Sequence, residues 1–121
     1  QEGKPDRKVY RITDEGRSFL QEALQNPCPC HKVRSEFLAT MCFAHLMRPA
    51  DIETVLDHRV EEIARYQEMF MQLENECNDD WSEGMKFVLG FGKAMANAMD
   101  TNINDNRHRL EHDKPAKAAT A

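Results

Sequence analysis

Ile52, Leu56, Arg59, Ile63, Tyr66, Phe70, Leu73 and Cys77 follow one another at intervals of four and three without a break. A mostly apolar stripe of that period lies along one side of an α-helix and needs another helical surface along its length to cover it. The spacing therefore predicts one long helix with a heptad seam. Pro49 and Asp51 suit its first turn, where a proline gives up no hydrogen bond and a negative charge complements the helix dipole. Arg59 lies in the seam and needs a carboxylate such as Glu62, or one from a partner chain, because an unpaired charge there is costly. Asn78-Asp79-Asp80 reads as a turn. From about Trp81 a second stripe of Met85, Val88/Leu89, Gly92, Met95/Ala96, Met99, Ile103 and Leu110 predicts another helix, antiparallel to the first and roughly 45 Å long if it reaches Glu111.

Little else in 121 residues can cover two such rods, so the economical expectation is a homodimer. Its candidate contacts are Ile52, Leu56, Ile63, Tyr66, Phe70, Leu73, Met95, Met99 and Ile103. Ahead of the rods, a further helix is expected from about Lys32 to Met47. Its apolar residues Val33, Phe37, Leu38, Met41, Phe43, Leu46 and Met47 cover more than half the circumference, which implies burial on several sides. Phe19, Leu20, Ala23 and Leu24 predict a short helix from about Asp14 to Gln25, stopped at Asn26-Pro27. Pro27-Cys28-Pro29-Cys30 cannot be helix interior and reads as a linker. The expected organisation is an amino-terminal unit at 1–26, a linker at 27–31, a helical domain at 32–112 and a disordered tail at 113–121.

With 40% hydrophobic and 31% charged residues the composition is that of a globular protein. The longest nearly apolar run, Phe37 to Met47, is too short to span a bilayer, which takes roughly 20 residues. The net charge of −5 is unevenly spread: Lys4, Arg7, Lys8 and Arg11 against Glu2 and Asp6 leave residues 1–11 at +2 and the remainder at −7. Phosphate binding needs only a local basic patch, so the acidic remainder restricts nucleic-acid contact to the amino-terminal end.

That end reads Gly3-Lys4-Pro5-Asp6-Arg7-Lys8-Val9-Tyr10-Arg11-Ile12-Thr13-Asp14-Glu15-Gly16-Arg17. A basic turn leads into the β-prone run Val9, Tyr10, Ile12 and then into Thr13, a residue suited to cap a helix. This order resembles the wing and following helix of PadR-family transcriptional regulators. Downstream, F-L-x-x-x-C-F-A-x-L from Phe37 and R-P-A-D-I-x-x-V-L-x-x-R from Arg48 resemble the carboxy-terminal helical domain of that family. The resemblance implies a mainly α chain: the end of a winged helix-turn-helix followed by a long-helix dimerisation domain. It implies a homodimeric regulator, usually a repressor, on a palindromic operator, released in some members by phenolic acids or other small hydrophobic effectors; the cytoplasmic location expected here follows instead from four cysteines that suggest no secreted disulfide framework. A winged helix places its recognition helix before the wing, so that element is expected ahead of Gln1. The candidate DNA contacts are Lys4, Arg7, Lys8 and Arg11, with Arg11 ranked last.

Gly90 and Gly92 fall mid-helix, where they favour either a close helix crossing or space for a ligand. Trp81, Phe87, Phe91 and Met41 are the candidate effector contacts. Two other functions are compatible with the sequence: a helical protein-interaction module that never meets DNA, and a thiol or zinc sensor at Cys28-Pro29-Cys30-His31. The last supplies three crowded ligands where a tetrahedral site wants four. Neither a metal nor a cofactor is expected. The five histidines are scattered, and no H-E-x-x-H, Ser/His/Asp or Gly-rich phosphate motif suggests an enzyme.

Overall fold

A computed structural model describes Gly3 and residues 6–112, and these are mainly helical, with no strand among them. The chain divides between Arg34 and Ser35 into two units. The first contains α1, Asp14–Ala23. Thr13 caps it as its residue type suggests: the Gly16 N–H donates to Thr13 Oγ1 at 3.0 Å, satisfying one of the amides a helix start leaves open. At the far end Asn26 adopts φ 53°, a left-handed conformation that asparagine tolerates, and the chain leaves the helix before Pro27. The β-prone run ahead of α1 is irregular, with Val9 and Tyr10 83% and 86% exposed. A strand needs a neighbour for its backbone groups, and no second strand stands beside it among the described residues.

The second unit contains α2 (Glu36–Met41), a 3₁₀ turn (Ala44–Leu46), α3 (Pro49–Glu76) and α4 (Glu83–Glu111). The expected helix from Lys32 to Met47 is thus two short pieces. Ser35 caps α2, accepting from the Leu38 N–H at 3.1 Å, so the helix starts four residues later than its apolar content suggests. Thr40 turns its hydroxyl back onto the Glu36 carbonyl, an arrangement that weakens a helix locally. Burial on several sides does not follow either. Ala44 is buried and Phe37, Met41 and Met47 pack on the core, while Val33, Leu38, Phe43 and Leu46 are exposed.

α3 and α4 form the antiparallel hairpin that their periodicities predict. Pro49 opens α3, and Arg48 pairs with Asp51 across its first turn at 2.7 Å. Asp80 N–H donates to Asn78 Oδ1 in the connecting turn, and Ser82 caps α4 through the Met85 N–H. The seam is filled by Ile52, Leu56 and Ile63 from α3 and by Ala96 and Ile103 from α4, all buried. Each rod covers part of the other's stripe, while Tyr66 of α3 and Met85, Val88 and Met95 of α4 stay exposed in the single chain.

Gly92 sets the closeness of the crossing. A Cβ there would lie 2.6 Å from two ring carbons of Phe70, whereas one at Gly90 would meet nothing within 4 Å. Gly90→Ala should raise stability by about 1 kcal/mol through helix propensity alone. In Gly92→Ala the same gain is opposed by about 1–3 kcal/mol of overpacking as Phe70 is displaced. Urea unfolding of the two variants should therefore differ in midpoint, with Gly90→Ala the more stable.

Candidate functional site

Arg7, Lys8 and Arg11 are exposed on the irregular segment ahead of α1, and Lys4 lies outside the described residues. In an extended chain the side alternates at every residue, which puts Arg7 with Arg11 and Lys8 with Tyr10 and Ile12. Sidedness thus gives no reason to rank Lys8 above Arg11. Gly16 is close-packed at the foot of this segment, where a Cβ would stand 3.1 Å from Thr13 Oγ1 and 3.3 Å from the Ile12 side chain. The E-G-R of the motif has a local reason in that approach.

The candidate dimer contacts separate into two groups. Ile52, Leu56, Ile63 and Ile103 are buried in the hairpin's own seam, where Phe70 and Met99 also pack. Tyr66, Leu73 and Met95 are on its flank, Tyr66 being 42% and Met95 41% exposed. The hairpin's two flanks differ in chemistry. One is closed by polar pairs between the helices: Gln67 donates to Asn97 at 3.0 Å and Lys93 to Glu74 at 2.6 Å. Helical geometry puts Tyr66, Met69 and Leu73 of α3, with Val88, Phe91 and Met95 of α4, on the opposite flank. Tyr66, Met69, Val88, Phe91 and Met95 are each 41–67% exposed there.

The open end of the hairpin is fastened by charge. Arg107 of α4 donates to Asp57 of α3 at 2.7 Å and to Glu111 at 3.1 Å. Its guanidinium is held above its ordinary pKa, chiefly by the Asp57 hydrogen bond and then by that to Glu111, and it is cationic at any physiological pH. Arg59 finds the carboxylate its place in the seam requires. It donates to Glu62 at 3.0 Å, stands 5.4 Å above the Phe37 ring and reaches Met99 Sδ at 3.6 Å. The charge is thereby shared among a carboxylate, a π-face and a soft sulfur. This group ties α2 to the hairpin beside a polar notch of about 340 Å³ that Thr40, Thr54 and His58 also line.

Where α3 turns into α4, an open groove of about 650 Å³ runs along the apolar flank. Phe70, Leu73, Trp81, Met85, Val88 and Leu89 line it, with Ser82 and Gly84 at the helix start. Of the candidate effector contacts, only Trp81 is in this wall. Phe87 is 77% exposed on α4, Phe91 lies further along the flank, and Met41 packs on the core from α2. Sequence periodicity missed the other lining residues because it assigned Phe70 and Leu73 to a dimer seam. The missed signal was Gly84, one turn after a lone tryptophan. Cys28 and Cys30 are exposed, and among the described residues no three His, Cys, Asp or Glu side chains converge on a metal-sized site. No helix of the described residues is long and apolar enough to cross a membrane.

Comparison of the chain with protein-family models, with curated proteins and with solved structures finds no match.

Proposed function

We propose that this chain is the wing, connecting helix and dimerisation domain of a PadR-like, DNA-binding transcriptional regulator acting as a cytoplasmic homodimer, in the usual case a repressor. The observation that carries the reading is the ordered motif from Gly3 to Arg17, whose basic residues precede a helix capped by the motif's own threonine. Arg7, Lys8 and Arg11, with Lys4, contact phosphates or the minor groove and fix register while a recognition helix reads bases. The apolar flank of the α3–α4 hairpin joins two copies. Their separation then sets the distance between the two wings, matched to half-sites roughly 34–36 Å apart. A small hydrophobic effector wedged among the helices changes that distance and weakens operator binding.

A mobility-shift titration of the full-length protein on the promoter of its own gene tests the reading. Arg7→Gln/Lys8→Gln should weaken binding on every operator sequence and lower the slope of log K against log salt by about 2. The acidic balance of residues 12–121 favours the rival reading, a helical module that meets only protein. Under that reading the two substitutions change nothing, and no shift is seen at all.

A further inference from the structure

We propose that Cys28 and Cys30, with Pro29 between them, form a binding site for one soft monovalent metal ion of the copper(I) class, held by two thiolates. The site stands apart from the regulator reading and from the apolar flank of the hairpin. Both cysteines are free and exposed. Residues 27–35 run without helix or turn, and the prolines on either side of Cys28 hold the chain extended and stiff there. Two residues of such a chain advance about 6–7 Å, at the upper end of the range, about 4.4–6.8 Å, that a disulfide spans between Cα atoms. Drawing the two sulfurs to bonding distance therefore works against the linker. An ion between them relaxes that demand, because two metal–sulfur bonds of about 2.3 Å let the sulfurs stand up to about 4.6 Å apart.

Donor count selects the ion. Thiolates favour copper(I), zinc and iron–sulfur clusters, but structural zinc takes four ligands and the clusters take four cysteines. Among the described residues no three His, Cys, Asp or Glu side chains come together, so either would be short of donors here. A closed-shell monovalent ion is satisfied by two sulfurs in line. Counted against four, the linker holds no metal; counted against two, it is complete. Two thiolates around one monovalent cation leave a single negative charge, which the linker offsets. Lys32 and Arg34 are exposed beside the cysteines, and no acidic residue lies between Pro27 and Ser35. As the two sulfur–metal bonds form, each thiol gives its proton to solvent, so two protons leave per ion and no electron is transferred.

The test titrates reduced protein, under nitrogen, into the coloured copper(I) complex of bathocuproine disulfonate and follows the loss of its colour. One ion per chain should be withdrawn. Cys28→Ser and Cys30→Ser should each weaken binding by about a hundredfold or more, with far-UV circular dichroism unchanged because neither residue lies in a helix. Cys42→Ser/Cys77→Ser should bind as the parent does. An equal concentration of zinc should leave the copper in place, and binding should tighten as pH rises, with two protons released per ion. Indifference to either linker substitution, loss of binding in Cys42→Ser/Cys77→Ser, or displacement by equimolar zinc overturns the proposal. So does a stoichiometry of one ion per two chains, since the donors would then come from two copies. The mobility shift of the metal-free protein is a separate measurement, so this inference and the regulator reading can fail separately.

Discussion

Leu56→Ala, or Ile63→Ala, should cost about 2–5 kcal/mol of unfolding free energy, the range for emptying a fully buried aliphatic site. Both side chains are 0% exposed and face α4 from the middle of the seam. Six residues make up the buried apolar core of the described chain, so either truncation removes a large share of what holds the hairpin. The polar pairs that flank the seam cannot compensate. Lys93 and Glu74 are each more than a third exposed, and exposed pairs contribute about 0–1 kcal/mol. Urea denaturation at fixed protomer concentration is the measurement, because any dimer makes the midpoint concentration-dependent. A lower midpoint at unchanged m is expected, and a loss below about 1 kcal/mol would mean that the hairpin seam is not the principal core.

The second large effect concerns the flank. Tyr66→Asp/Met95→Asp introduces two charges per chain at positions that are solvated in a single chain and become buried if two flanks meet. Burying an unpaired charge at an interface costs several kcal/mol, so the dissociation constant should rise by about a hundredfold or more. Light scattering should then report a monomer at micromolar concentration with undiminished helix content, since none of the buried core residues is changed. Operator affinity should fall with it, because one protomer holds one half-site. A parent protein that is itself monomeric at that concentration refutes the dimer, and a variant that stays dimeric moves the interface off this flank.

The two long helices were legible because a period of 3.5 over eight positions leaves few alternatives, and Pro49 marks the start of α3 by residue type. Arg59 with Glu62 was legible for the same reason, as one turn of helix brings them together. The short α2 was not. Its apolar residues outnumber the surface that α3 offers, and a local capping bond at Ser35 decides where it begins. The groove was illegible because its walls come from the end of one helix and the start of the next, and only Trp81 stood out as a large aromatic beside a turn.

The sequence by itself determined that two amphipathic rods would run antiparallel around a tight turn and that a basic segment would lead into a capped helix. Both follow from hydrogen bonds and periodicities spanning a few residues. Tertiary structure alone decided what covers the rods. A stripe states that it needs a partner surface without naming it, and α4 meets the α3 seam within the same chain because a short turn brings it there at far smaller entropic cost than a second molecule. That choice buries Ile52, Leu56 and Ile63 of the heptad seam and leaves its edge at Tyr66 and Leu73 on the exposed apolar flank.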